Sequence, residues 1–182
     1  NDPDYKPYKR NTETLVRKWA IPGTEGLRHR VGGLEKSDII GNVSMDPLNH
    51  ELMCRYREEK VQKVADFIPD QKLIGEKEGE ILVVSWGGTF GSVYTAVKEL
   101  QAEGKKVSLA HFRNICPLPK NTKEVLSHFR KILVCELNLG QFVKYLKINY
   151  PEFNYYQFNK IQGLPFLVNE LKEQIIKTLE VK

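Results

Sequence analysis

Residues 81–92 decide the fold: they read Ile81-Leu82-Val83-Val84-Ser85-Trp86, followed by Gly87-Gly88-Thr89-Phe90-Gly91-Ser92. The first half is a short apolar run, which is typical of a β-strand that is buried on both faces. The second half is a glycine-rich turn, and the residues after it place apolar side chains at helical spacing as far as Gly104. The stretch therefore predicts a strand that leads through a tight turn into a helix.

The same strand–helix pattern recurs towards the C-terminus. Apolar strands are predicted at residues 106–110, 132–135 and 153–158, and a helical pattern follows each of them, the last beginning at Pro165. Successive strand–helix units predict a mainly parallel sheet with helices on both sides. We therefore expect a three-layer α/β/α domain over residues 73–182, joined to the preceding segment by a polar linker at residues 70–79.

The first 72 residues have a different character. Residues 1–45 are rich in proline and glycine and keep no regular period, which predicts an extended arm that packs on a neighbouring surface. Asp46-Pro47 is a typical helix start, and the apolar positions after it predict one helix that ends before Pro69. The chain opens on Asn1 rather than on a methionine, so we expect it to be part of a longer polypeptide.

The composition excludes several classes of protein. Of the 182 residues, 41% are hydrophobic, which is too many for a disordered chain. No run approaches the ~20 apolar residues of a spanning helix, so we expect no membrane segment. Cys54, Cys116 and Cys135 are widely spaced and form no CxxC pair, which argues against a disulfide framework and against a metal or iron–sulfur site. This cysteine usage favours a reducing, cytoplasmic location.

The net charge of +5 lies in the C-terminal part of the chain. Residues 98–131 contain eight basic and three acidic side chains. This basic segment is either a solvated face or a docking surface for an acidic partner. Nucleic acid is not expected as a partner, because no recognition motif appears and the aromatic residues are not interleaved with the basic ones.

The candidate functional residues lie in the loops that follow the strands. These loops all leave a parallel sheet at its carboxyl edge, where ligands and partners usually bind. We expect the polar side chains of this edge to face another domain or subunit. The interface candidates are Thr89, Ser92, His111, Arg113, Glu136, Asn138, Gln141, Asn159, Lys160 and Gln162.

Other interpretations of these loops stay open. The Gly87–Ser92 turn would suit a stand-alone phosphate- or nucleotide-binding module, but it lacks a P-loop lysine and the GxGxxG spacing. Glu136 follows an apolar strand, so we expect it either at an exposed rim or paired with a donor such as Arg113 or a residue of another chain. A structural role is favoured over acid–base chemistry for His111, and no catalytic residue is predicted.

Seven motifs, in order along nearly the whole chain, resemble one family. They are residues 19–23 (WAIPG), 32–36 with 41–44 (GGLEK, GNVS), 46–51 (DP, NHE), 86–91 (WGGTFG), 117–121 (PLPKN), 136–141 (ELNLGQ) and 159–166 (NKIQGLPF). Together they resemble the C-terminal region of the alpha subunit of 2-oxoacid:ferredoxin oxidoreductases, most closely the 2-oxoglutarate type. Gly88, where serine is common, and Arg28, where glutamate is common, depart from the pattern.

The resemblance implies a transketolase C-terminal-like domain with an assembly role, preceded by a catalytic domain to which residues 1–72 form the link. The complete enzyme would convert a 2-oxoacid to an acyl-CoA with thiamine diphosphate, Mg and iron–sulfur clusters, and would reduce ferredoxin. The partners implied are the other domains of the alpha subunit, the beta subunit, a gamma subunit where there is one, and ferredoxin. No cofactor, metal or catalytic residue of the family maps onto this chain, so we expect the chain alone to be inactive. As an alternative to the assembly role, the basic segment 98–131 would be a docking surface for acidic ferredoxin.

Overall fold

The computed structural model describes residues 3–181, with five α-helices and four β-strands in this range. The helices are α1 (Pro47–Lys63), α2 (Phe90–Ala102), α3 (Thr122–Ser127), α4 (Gln141–Asn149) and α5 (Val168–Glu180). The strands are β1 (Gly79–Trp86), β2 (Val107–Phe112), β3 (Phe129–Glu136) and β4 (Tyr155–Asn159). The chain divides into two units between Phe67 and Ile68, and each is described by itself.

In the second unit the four strands form one sheet in the order β2-β1-β3-β4, and every neighbouring pair is parallel. Val83 in β1 lies opposite Leu109 in β2 and Leu133 in β3, so the predicted apolar runs share one register. The connection from β1 to β2 runs to one side of β1, and the connection from β2 to β3 returns to the other side of β1. This reversal places the loops after β1 and β3 side by side at the carboxyl edge.

Helices cover both faces of the sheet. Ile81 and Val83 pack towards α2 and α5, whereas Leu82 and Val84 pack towards α3 and α4. All four side chains are fully buried, as the unbroken apolar run predicts for a central strand. The expected three-layer α/β/α arrangement with a parallel sheet, preceded by one helix, is therefore confirmed.

Several boundaries differ from the sequence-based expectation: β3 is longer than the predicted 132–135, and β2 and β4 are shifted by one or two residues at their ends. The last helix begins at Val168 rather than at Pro165, because Phe166 first turns into the core and packs against the ring of Phe158. The polar segment before β1 is tied to the domain, since Ile74 and Leu109 exchange two backbone hydrogen bonds of 2.9 Å. This short antiparallel bridge covers part of the open side of β2.

The first unit is held together largely by polar contacts. Arg10 donates to Asp38 over 2.8 Å, and its guanidinium stacks 4.8 Å from the centre of the Tyr56 ring. Single antiparallel bridges, such as that between Lys36 and Val43, fold the proline- and glycine-rich segment back on itself. In α1 only Met53 is buried. No helix among residues 3–181 is long and apolar enough to cross a membrane.

Candidate functional site

The loop from β3 to α4 surrounds the carboxylate of Glu136, which is fully buried. Its Oε2 accepts from the backbone N–H of Phe142 at 2.8 Å and from the indole N–H of Trp86 at 3.3 Å. Its Oε1 accepts from the backbone N–H of Val143 at 2.9 Å. Neither expected position for Glu136, an exposed rim or a partner across an interface, is found, because its partners belong to its own domain.

Asn138 completes the same arrangement. Its Oδ1 accepts from the backbone N–H of Gly140 at 2.8 Å and of Gln141 at 2.9 Å. The first N–H groups of a helix have no partner within the helix, and here Glu136 and Asn138 supply the partners for α4. Gly140 is held at φ +78°, and a Cβ there would lie 2.6 Å from the side-chain oxygen of Gln157. The ELNLGQ motif is therefore a helix-capping loop, and of its polar candidates only Gln141 is exposed.

The turn from β1 to α2 is also used internally. Thr89 is buried, and its hydroxyl donates to the carbonyl of Trp86 at 2.7 Å. Gly87 has φ +61°, a conformation that glycine adopts readily, and Ser92 is half-buried in the first turn of α2. This geometry supports the tight packing turn that the sequence favoured over a phosphate loop.

His111, at the end of β2, lies beside a recess of about 390 Å³. Its Nδ1 is 2.8 Å from Oγ of Ser85, and its ring centre is 4.9 Å from that of Phe90. Burial, and then the neighbouring charge of Arg113, lower the pKa of His111. The Ser85 hydroxyl is fully buried, so on this side His111 is paired within the domain, and its role stays a prediction. Arg113 itself is exposed.

The loop after β4 contributes the last three candidates. Lys160 lies largely buried, and its ammonium binds both oxygens of Glu170 at 3.0 and 2.8 Å. Glu170 in turn accepts from the backbone N–H of Leu167 at the start of α5. Asn159 is exposed and donates to Gln157, and Gln162 is exposed.

The basic segment 98–131 does not form one surface. Lys131 is buried, and its ammonium donates to the carbonyls of Leu179 and Val181 at the end of α5. Lys105 and Lys106 precede β2 at the amino edge of the sheet, whereas Arg113 follows β2 at the carboxyl edge. The structure therefore divides the segment between two edges and uses part of it for internal pairing.

The carboxyl edge also carries exposed apolar side chains, and none of the polar candidates predicted from the sequence includes them. Six large apolar side chains of the carboxyl edge are between 41% and 67% exposed, and we call them the apolar edge: Phe90, Leu137, Leu139, Ile161, Leu164 and Leu167. They belong to the loops after β1, β3 and β4, which are adjacent strands. Exposed apolar side chains that gather at one edge of a sheet are candidates for an interaction surface. The sequence does carry a signal for them, because apolar residues recur at every second position in Leu137 and Leu139 and at every third in Ile161, Leu164 and Leu167.

Known proteins resemble this chain along most of its length. Residues 79–164 match the family of pyruvate:ferredoxin oxidoreductase core domain II. A relative named 2-oxoglutarate oxidoreductase subunit KorA, from Mycobacterium tuberculosis, is 38% identical over 92% of this chain and 25% of its own length. The alpha subunit of a 2-oxoacid:ferredoxin oxidoreductase from Saccharolobus solfataricus is 28% identical over 96% of this chain and 28% of its own length.

A solved structure agrees with these relatives. The 2-oxoglutarate:ferredoxin oxidoreductase from Magnetococcus marinus, solved with 2-oxoglutarate, coenzyme A and succinyl-CoA bound, superposes with a TM-score of 0.87 at 27% identity. The match covers 98% of this chain and 31% of that one. The chain thus spans about a quarter to a third of the length of these proteins. The chain is a homologue of the alpha subunits of 2-oxoacid:ferredoxin oxidoreductases, of the 2-oxoglutarate type, and it contains their core domain II.

Proposed function

We propose that this chain is the assembly domain of the alpha subunit of a 2-oxoglutarate:ferredoxin oxidoreductase. The observation that supports the proposal is the apolar edge. Each of these side chains is about half exposed, so burying the rest of it against a partner is worth roughly 1–2 kcal/mol, and the six together favour association. Glu136, Asn138 and Lys160 beside them are already paired within the domain, so covering these three groups leaves no donor or acceptor of theirs unsatisfied.

The first unit supports the same function on its own evidence. Trp19, Ile21, Met45, Leu48 and Phe67 are each at least 75% exposed. Trp19 and Ile21 belong to one of the motifs that carry the family resemblance. We infer that this unit covers the surface of a neighbouring domain or subunit.

In the complete enzyme, a 2-oxoacid would lose carbon dioxide, its acyl group would pass to coenzyme A, and its electrons would pass to ferredoxin. Thiamine diphosphate with Mg and iron–sulfur clusters would supply this chemistry. Within residues 3–181, no group of three His, Cys, Asp or Glu side chains is placed to hold a metal. We propose that this chain has an assembly role rather than a step of the reaction, and that the beta subunit and the other alpha domains are its partners.

The proposal is tested by charging the apolar edge in the complete protein. We expect Leu139→Asp combined with Leu164→Asp to abolish co-purification with the beta subunit and 2-oxoglutarate-dependent dye reduction. Ile148→Asp is the matched control, because Ile148 is 80% exposed in the last turn of α4, away from the carboxyl edge. An edge variant that assembles like wild type would refute the proposal.

A further inference from the structure

Cys54 lies within a group of polar side chains that the proposed function does not use. His50, Cys54 and Arg57 follow one another at intervals of four and three residues on α1, so they share one face of the helix. Nε2 of His50 is 3.6 Å from the Cys54 sulfur, and Nη2 of Arg57 donates to that sulfur over 3.1 Å. The cysteine itself is exposed.

Glu35 holds both of these partners in place. Its Oε2 is 2.8 Å from Nδ1 of His50, and its two oxygens accept from the guanidinium of Arg57 at 3.2 and 3.3 Å. Hydrogen bonds from Arg57 and from His50 lower the pKa of Glu35 to about 2, so this group is a carboxylate at neutral pH. Because Nδ1 of His50 faces a carboxylate, Nδ1 carries the ring proton and Nε2 is left to accept one from the thiol.

The arrangement is that of an activated nucleophile: a thiol within reach of a base, and a third group that orients the base. A base within reach of the thiol can take its proton as the sulfur attacks, and a guanidinium beside the sulfur stabilises the negative charge that develops there. Cys116 is also exposed but has no such neighbours among the described contacts, and Cys135 is buried, where burial raises its pKa. The three cysteines of the chain therefore have three different environments.

A cavity of about 570 Å³ adjoins the group and is lined by Glu35, His50 and Arg57. Five basic side chains line it against the single acidic Glu35, and they are Arg10, Arg17, Lys36, Arg57 and Lys60. Such an excess of positive charge attracts anionic molecules and raises their local concentration. Cys54 does not line this cavity itself, but His50 and Arg57, which contact its sulfur, do. An anionic reagent drawn to these side chains is therefore brought close to the thiol.

We propose that Cys54 is a modification site, at which the thiol exchanges with low-molecular-weight disulfides that carry negative charge. The Cys54 sulfur attacks one sulfur of the disulfide and gives its proton to Nε2 of His50. A new S–S bond forms as the old one breaks, and the leaving thiolate departs with the electron pair. Cys54 is thereby oxidised to a mixed disulfide and the reagent is reduced, and a free thiol reverses the reaction.

The test measures the rate at each cysteine of the complete protein with two disulfides, the anionic dithiobis(nitrobenzoate) and the cationic cystamine. Trypsin separates the three cysteines into peptides 37–55, 114–120 and 132–144, so mass spectrometry reports each one. We expect Cys54 to react about tenfold faster than Cys116 with the anionic reagent. The preference for the anionic reagent should be larger at Cys54 and should shrink with added salt.

Arg57→Gln should slow the reaction of Cys54 about fivefold, and Arg57→Lys should restore part of the rate because it keeps the charge. Arg55→Gln is the matched control, since this substitution removes the same charge from a side chain that pairs with Glu51 and not with the sulfur. It also removes a tryptic site, so Cys54 is then measured in peptide 37–57. Thermal melting verifies that each variant is folded. Equal rates at Cys54 and Cys116, or equal effects of Arg57→Gln and Arg55→Gln, would overturn the proposal.

Discussion

Replacing Glu136 with glutamine changes one buried atom and tests whether the carboxylate caps α4. The wild-type group accepts three hydrogen bonds, from two backbone N–H groups and from Trp86. Glutamine has one acceptor oxygen and one amino group. If its oxygen takes the place of Oε2, the bond from Val143 is lost, and if it takes the place of Oε1, two bonds are lost. In either orientation an amino group faces a backbone donor.

The smallest loss is a single hydrogen bond to an ionised group, which is worth about 1.5–3 kcal/mol. The favourable contact between the negative charge and the N-terminus of α4 adds about 0.5–1 kcal/mol. Relief from burying a charge offsets part of this sum. We therefore expect the free energy of unfolding to fall by about 2–3 kcal/mol, and the melting temperature by about 10 °C.

Urea unfolding followed by tryptophan fluorescence measures this change. The chain has two tryptophans, so a Trp19→Phe background leaves Trp86, which lies beside Glu136, as the sole probe. Glu173→Gln is the control, because Glu173 is exposed on α5 and its loss should change stability by less than about 0.5 kcal/mol. Equal stabilities of the two variants, with unchanged amide exchange at Phe142 and Val143, would refute the capping role.

Three further predictions concern single positions. Gly140→Ala should destabilise the chain by about 2–3 kcal/mol in urea unfolding. Gly104→Ala is the control: its φ is +80° but the space around its Cβ is open, so it should cost only about 1 kcal/mol. Equal losses would show that the contact at Gly140 is unimportant. Lys131→Met should lower the free energy of unfolding by about 2 kcal/mol and speed amide exchange at the end of α5. Arg130→Met, at a side chain that is 83% exposed, should lower it by less than about 0.5 kcal/mol. A smaller effect at Lys131 than at Arg130 would contradict the structure. The pKa of Glu35 is lowered on folding, so its contribution to stability is present above the ordinary value near 4.5 and is lost as the pH falls towards 2. Acid unfolding of the first unit should therefore become less steep in Glu35→Gln. An unchanged pH profile would contradict the ion pair.

The sequence predicted the second unit far better than the first. β1 and its neighbours are apolar along their whole length, and such runs have few alternatives to a buried parallel strand. The first unit depends on the contacts of Arg10 with Asp38 and Tyr56, which are distant along the chain and follow no period. The group around Cys54 was missed for a similar reason, since Glu35 lies 15 residues before its partner His50. Only the part of that group that lies on α1 has a spacing that a sequence could reveal.

Polar side chains at the carboxyl edge of a parallel sheet can serve two different needs, helix capping and partner binding. Each strand–helix loop must satisfy the first N–H groups of the helix that follows, and the nearest side chains able to do so are those at the strand end. Glu136 and Asn138 meet this need, as Glu170 does at the start of α5. The side chains of these loops that remain exposed to a partner are therefore mainly the apolar ones.

This division makes the two kinds of substitution separable. Glu136→Gln should lower the free energy of unfolding, yet the fraction that remains folded should still assemble with the beta subunit, because the buried carboxylate offers no surface to a partner. The double substitution of Leu139 and Leu164 by aspartate should leave unfolding within about 0.5 kcal/mol of wild type, because both side chains are at least 60% exposed, and should still abolish assembly. Unfolding and co-purification measured on the same two variants would test this. If both variants lost stability and assembly together, the apolar edge would be part of the fold rather than a surface built for a partner.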